Sequence, residues 1–158
     1  MTGDELVAGR VRECLAAHGV TWHAVALPAP AHSAKDTARA LGCEAERIVK
    51  SLVFRGRSSH RPILVLASGP NRVDEKKLGA LFGERVERAD PAFAEQHTGF
   101  AVGSVPPVGH VAPLPTFIDD TLLAHEAVWV GTGIPDAVCR LRPADLVAVS
   151  GGKVAAIA

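Results

Sequence analysis

Apolar residues recur along the chain at two periods, and the switches between them mark its elements. Leu6, Val7, Val11, Cys14 and Leu15 keep a helical spacing, opened by a Thr2–Glu5 capping box and closed at His18 and Gly19. Trp22 to Leu27 reads as a short strand, halted by Pro28 and Pro30. Ser33 with Asp36 makes a second capping signature, and the helix from Ala34 ends at Gly42. Two apolar runs follow, Ile48 to Phe54 and Pro62 to Ala67, joined by the polar segment Arg55 to Arg61 as a hairpin-like pair. Asp74 caps a short helix through Leu81. Asp90 and Pro91 start another through Gln96, because proline is tolerated at the first helical position.

Beyond it the periods stop. Gly99 to Pro115 is irregular, with glycine at 99, 103 and 109 and proline at 106, 107, 113 and 115. Thr116 to Ile118, Ala127 to Gly131 and Val138 to Leu141 resume strand character. Pro143 opens a helix through Val147, and Val154 to Ile157 closes the chain. Strands are often adjacent and helices interspersed, without the strict alternation of a doubly wound sheet. The pattern predicts an α+β fold: a curved, mixed, mostly antiparallel sheet or barrel flanked by helices. No repeat, linker or composition shift divides the chain, so residues 1–158 are expected to form one domain.

Composition narrows the class. Hydrophobic content of 47% with 22% charged residues fits a soluble globular protein. No apolar stretch approaches the roughly 18 to 20 residues that span a bilayer, so no membrane association is expected. The start, Met-Thr-Gly-Asp-Glu, lacks the basic-then-apolar order of a signal peptide, and a cytoplasmic location is expected. Cys14, Cys43 and Cys139 form no CxxC pair, and the seven histidines are scattered singly. Reduced thiols and no metal site are the expectation, and no cofactor is implied.

Net charge is zero but unevenly spread. Between Arg47 and Arg88 ten Lys/Arg face four Asp/Glu, whereas the rest of the chain holds seven bases and thirteen acids. That middle segment offers a local basic face for a phosphate backbone, or simply a solvated surface. Five Phe, two Trp and no Tyr argue against a stacking platform for long single strands. No DNA partner is expected.

Three features carry candidate chemistry. Lys50 sits inside an apolar run: Ile48, Leu52 and Phe54 share its face, and Val49, Ser51 and Val53 point the other way. Burying an unpaired ammonium costs several kcal/mol, so Lys50 must reach past the sheet edge or meet an anion or polarised carbonyl in a pocket. The segment TGFAVGSVPPVGHVAPLP contains a GxxxP spacing, Gly103 to Pro107. Glycine lets a backbone approach a ligand there, and prolines stiffen the turn and remove donors. Such a loop either aims N–H groups at an oxygen or covers one end of a barrel. In VWVGTGIPD, the Gly131, Thr132 and Gly133 turn could admit a ligand at a strand end, but it lacks the third glycine of a dinucleotide fingerprint. His110 is a candidate base or hydrogen-bond donor, or a plain polar loop residue.

Taken together, SAKDTARALGC, RIVKSLVF, PILVLASG, TGFAVGSVPPVGH, PTFIDDTLL, VWVGTGIPD and RPADLVAVSGGKVAAI resemble the YbaK/EbsC family of aminoacyl-tRNA deacylase domains. That family includes free-standing trans-editing factors and the insertion domain of bacterial prolyl-tRNA synthetases. The resemblance covers nearly the whole chain and implies a curved, mostly antiparallel sheet or barrel with one pocket. It implies hydrolysis of the ester joining a wrong amino acid to a tRNA 3′ end, often on proline tRNA. It places the family's essential lysine on Lys50, its GxxxP loop on Gly103 to Pro107 and its glycine turn on Gly131 to Gly133, with Ser51 as the small polar residue after the lysine.

With that chemistry, Lys50 would bind the terminal adenosine's phosphate or polarise the ester. N–H groups of Gly103, Ser104 and Val105 would hold the oxyanion as it forms. No Ser-His-Asp set stands out, so positioning and the substrate's own 2′-hydroxyl would lead the reaction. The expected partners are the aminoacyl-tRNA acceptor end and an aminoacyl-tRNA synthetase. The rival readings are a non-catalytic module binding aminoacyl-tRNA or a synthetase, and a hydrolase of small esters unrelated to tRNA.

Overall fold

The computed structural model describes residues 3–158. Its helices are α1 (Gly9–Ala17), α2 (Ala34–Leu41), α3 (Glu75–Phe82), α4 (Pro91–Thr98) and α5 (Pro143–Ser150). Its strands are β1 (His23–Ala26), β2 (Val49–Gly56), β3 (Pro62–Ser68), β4 (Val86–Arg88), β5 (Thr116–Asp119), β6 (Val128–Gly131), β7 (Ala137–Leu141) and β8 (Lys153–Ala155). Three helices start where side-chain caps predict. Ser33 accepts from Asp36 N (3.1 Å), Asp74 from Lys76 N (2.9 Å) and Asp90 from Phe93 N (2.8 Å). Each such cap is worth about 1 kcal/mol.

The N-terminus departs from expectation. Thr2 lies outside the described residues, Gly3–Leu6 is a 3-10 turn, and α1 begins only at Gly9 without a side-chain cap. The break has a cause in the fold: Ala8 N donates to Thr132 O at 2.9 Å, which draws the backbone out of helical register toward the β6–β7 turn.

Two sheets result. One orders its strands β4-β2-β3-β5-β8, antiparallel from β4 to β3 and parallel from β3 to β8. The other, β1-β7-β6, is antiparallel throughout. Among the described residues a single parallel bridge, Ile48 to Trp129, joins them, so the expected curved mixed sheet is two sheets meeting at the start of β2.

The main core fills the space between them. Val49, Val53, Leu64, Leu66 and Ile118 face Val128, Val130, Cys139 and Leu141, with Val11 and Leu15 of α1 closing one side. The opposite face of the larger sheet packs Phe54, Ile63, Val65 and Phe117 beneath Leu78 of α3. β3 is therefore buried on both faces, which explains its unbroken apolar run. At roughly 1.5 to 3 kcal/mol per fully buried large side chain, this strand anchors the fold.

Candidate active site

β2 is covered unevenly. Along one edge it pairs with β3 from Val49 to Arg55. Along the other, Ile48 makes a single isolated bridge, to Trp129, among the described residues, and pairing with β4 starts at Phe54, with Ala89 N reaching Val53 O at 3.0 Å. Val49 to Leu52 thus form an open strand edge, and such an edge presents backbone groups without ladder partners. A cavity of about 290 Å³ runs along it. Residues Ile48 to Leu52 form one wall, Val102, Gly103 and Val105 of the long loop another, Trp129 to Gly131 a third, and Ser33, Ala34 and Thr37 of α2 the fourth.

Lys50 is half-buried at this edge, and its Nζ donates to Asn71 O at 2.7 Å. Asn71 is itself held: its Nδ2 donates to Asp119 Oδ2 (2.9 Å) and Thr121 Oγ1 (3.0 Å). Asp119 is fully buried and also accepts from Ser68 N (3.0 Å), Thr121 N (3.1 Å) and Thr121 Oγ1 (2.8 Å). Burial alone would raise its carboxyl pKa, but the hydrogen bonds from Asn71, Ser68 and Thr121 outweigh it and hold the group below its ordinary value. Lys50 is shifted down as well, first by burial and then by the nearby Arg88 guanidinium, with Asp119 pulling the other way. The ammonium is therefore positioned, partly desolvated and only partly compensated.

The loop presents its backbone to the same space. Gly103 has φ +95°, a conformation that favours glycine. Ser104 N is engaged with Ala101 O at 3.1 Å, and Ser104 Oγ donates to the same carbonyl at 3.0 Å. The N–H groups of Gly103 and Val105 meet no acceptor among the described residues. Of the three donors expected for an oxyanion, two remain available. Ser51 lines the cavity, but its Oγ is enclosed without a hydrogen-bond partner.

Lys50, Ser51, Gly103, Val105 and Gly131 thus line one cavity, whereas Ser104, Pro107, His110, Thr132 and Gly133 do not. The last five shape the loop and its seat. Ser104 O accepts from Gly133 N at 3.0 Å, and a Cβ at Gly131 would stand 2.8 Å from Val105 O. At Gly133, with φ +85°, a Cβ would lie 2.6 Å from the Phe100 ring. Thr132 is fully buried, its Oγ1 accepting from Ile134 N at 3.2 Å. The glycine turn is therefore the surface on which the long loop rests. His110 pairs Nε2 with Pro106 O at 2.7 Å, and a carbonyl only accepts, so this nitrogen carries the proton. Burial lowers its pKa, the carbonyl opposing, which favours the neutral ring. Pro107 is buried in the same turn.

Sequence reasoning passed over Asn71 and Asp119, which lie 48 residues apart and meet only in the fold. An acid directly after the apolar strand Thr116–Ile118 was the visible signal. It also passed over the wall from α2, although the Ser33 cap itself was legible. Among the described residues no three His, Cys, Asp or Glu side chains gather as a metal-binding group, and no helix is long and apolar enough to cross a membrane.

Known proteins are similar to this chain in sequence and fold. The family model described as the aminoacyl-tRNA editing domain matches residues 28–149. A candidate Cys-tRNA(Pro)/Cys-tRNA(Cys) deacylase, EbsC of Enterococcus faecalis, is 29% identical over 126 residues, 79% of this chain and 76% of that protein. A proline–tRNA ligase of Nitratidesulfovibrio vulgaris is 34% identical over 122 residues, which is 76% of this chain but 21% of the ligase. The crystal structure of a candidate trans-editing enzyme for prolyl-tRNA synthetase superposes with TM-score 0.85 at 42% identity, covering 94% of each chain. The chain belongs to the aminoacyl-tRNA editing domain family. Its activity class is aminoacyl-tRNA deacylation, the hydrolytic removal of an amino acid from tRNA.

Proposed function

We propose that this chain acts in trans on mischarged tRNA, as one 1–158 domain in the cytoplasm, with its ester seated against Lys50 in the β2-edge cavity. The observation that carries the reading is that Lys50, whose ammonium is tethered to Asn71 O, lines one cavity at the open strand edge with Gly103 and Val105, whose N–H groups are unengaged among the described residues. The Gly103 and Val105 N–H groups face the carbonyl oxygen where negative charge develops, a position in which one donor is worth about 10²- to 10³-fold in rate. Water adds to the carbonyl carbon, and the bond to the 3′-oxygen breaks. That oxygen takes the proton, delivered through the neighbouring 2′-hydroxyl, leaving a free amino acid and a tRNA ending in its 3′-hydroxyl. Lys50 orients the ester and offsets charge near it.

The walls suggest the substrate. Ile48, Val49, Val130 and Val138 are apolar, and the cavity of about 290 Å³ must also hold part of the terminal nucleotide, which leaves room for a small side chain. Selection by size alone is weak, about 1 to 3 kcal/mol per methylene, which is why such errors arise at a synthetase and need removal. The relatives' names support tRNA(Pro) as carrier and a prolyl-tRNA synthetase as working partner. The test is release of amino acid from a panel of mischarged tRNAs. Wild type is expected to deacylate small amino acids on tRNA(Pro), and Lys50→Ala to lose that activity. A chain that binds every charged tRNA and hydrolyses none would overturn the reading.

A further inference from the structure

The β2-edge cavity carries opposite charges on its two sheets. Lys50 belongs to β2 of the larger sheet, and Asp136 immediately precedes β7 of the smaller one. Among the described residues lining the cavity Asp136 is the only carboxylate, with Lys50 and the exposed His32 as the other ionisable groups. Its backbone is fixed: Asp136 O accepts from Leu27 N at 2.8 Å, and Ala137 beside it pairs with Ala26 of β1. Its φ is +58°, in the left-handed region. Glycine and asparagine take that conformation too, so the turn itself does not require an acid. The carboxylate is exposed and meets no partner among the described residues, whose ion pairs use Asp36, Glu44, Glu87 and Asp145 instead. The charges that act on Lys50 are those of Arg88 and Asp119, so Asp136 is not its counter-ion.

We propose that Asp136 recognises the free α-ammonium of the aminoacyl group and so restricts the cavity to amino acids with an unblocked amine. The inference deepens the deacylase reading and rests on it. An aminoacyl ester carries a cation one carbon away from its carbonyl. With the carbonyl oxygen at the Gly103 and Val105 N–H groups, that cation is repelled on the Lys50 side of the cavity and attracted on the Asp136 side. The two charges therefore orient the substrate as well as bind it. A carboxylate without a partner of its own is suited to the N–H donors of an ammonium, with which it forms charge-assisted hydrogen bonds. An N-formylated amino acid or a peptide presents a neutral amide at the same point and forfeits that attraction. A chain built this way removes single amino acids and spares formylated and peptidyl tRNAs, although all of them carry the same ester bond.

The test is a titration of the full chain with two stable amide analogues of the charged tRNA end, for wild type and for Asp136→Asn. One is 3′-alanylamino-3′-deoxyadenosine; the other, 3′-propionylamino-3′-deoxyadenosine, lacks only the amine. Asparagine keeps the size of the side chain and tolerates the left-handed φ, so the variant keeps its fold. Wild type is expected to bind the alanyl analogue about tenfold more tightly than the propionyl one, and the variant to bind the two alike. The wild-type gap should narrow with added salt, because Asp136 is exposed. On charged tRNA, N-acetylation of the amino acid should cost wild type about tenfold more in kcat/KM than it costs the variant. Equal affinity of wild type for the two analogues, or no measurable affinity for either, overturns the proposal, and so does a variant that keeps the full gap. If wild type releases no amino acid from any tRNA, the deacylase reading fails by itself, and the analogue titration still decides the role of Asp136.

Discussion

β2 and β3 are hydrogen-bonded neighbours with similarly apolar sequences, yet the fold uses them in opposite ways. β3 is paired along both edges and packed on both faces, so Ile63 to Leu66 have no exposed surface at all. β2 is paired fully along one edge only, and Lys50, Ser51 and Leu52 stay half-buried where the other edge is uncovered. Lys50 pairs across the ladder with Ala67 of β3, which is 1% exposed. An ammonium moved across that one step would lie in the core without water or partner, at a cost of several kcal/mol. A charge within an apolar run therefore marks where a sheet stops covering its strand, and that interruption is where a ligand can enter.

The contrast can be broken experimentally from the β3 side first. Leu66→Ala should destabilise the fold by about 2 to 5 kcal/mol in urea unfolding, because Leu66 is fully buried between the sheets. Remaining folded protein should keep its deacylation rate per molecule. Loss of activity without loss of stability would show that β3 serves the site directly.

A substitution under the loop should be intermediate. Gly133→Ala forces a side chain into φ +85° and against the Phe100 ring. It is expected to cost about 1 to 3 kcal/mol and to slow deacylation, since the loop bearing Gly103 and Val105 rests there. Unchanged activity in that variant would separate the glycine turn from the site.

The smallest effect concerns pH. The folded-state pKa of Lys50 is lowered, so its ammonium is lost at a lower pH than that of a free lysine, about 10.4. After correction for spontaneous ester hydrolysis, enzymatic deacylation should decline before that value is reached. The unfolded chain holds this proton longer, so between the two values wild type should gain stability relative to Lys50→Met as pH rises. An alkaline limb at the free-lysine value would contradict the partial burial of Lys50.

Much of this was legible because it is local. Ser33, Asp74 and Asp90 cap helices through contacts two or three residues away, and the β2–β3 hairpin follows from two apolar runs and a polar joint. Lys50 and the GxxxP loop stood out because each violates its local pattern. β4 did not, since three residues, Val86–Arg88, show no period. The Asn71–Asp119 tether joins positions 48 residues apart, and nothing in either neighbourhood requires the other. The glycine turn was visible as a turn, but its service to Val105 and Phe100 depends on a loop that arrives from elsewhere. Roles that depend on one strand's own pattern can be read early, and roles that depend on what packs against it cannot.

The most direct measurement pairs two readings on one sample of Lys50→Ala: the single-turnover rate on mischarged tRNA, and the midpoint of unfolding. The open edge predicts a rate reduced by about 10²- to 10³-fold with the midpoint nearly unchanged, because Lys50 serves the cavity and supports little of the core. A variant that keeps its rate, or that loses rate only in proportion to folded protein, would contradict the central claim that Lys50 is placed for the ester.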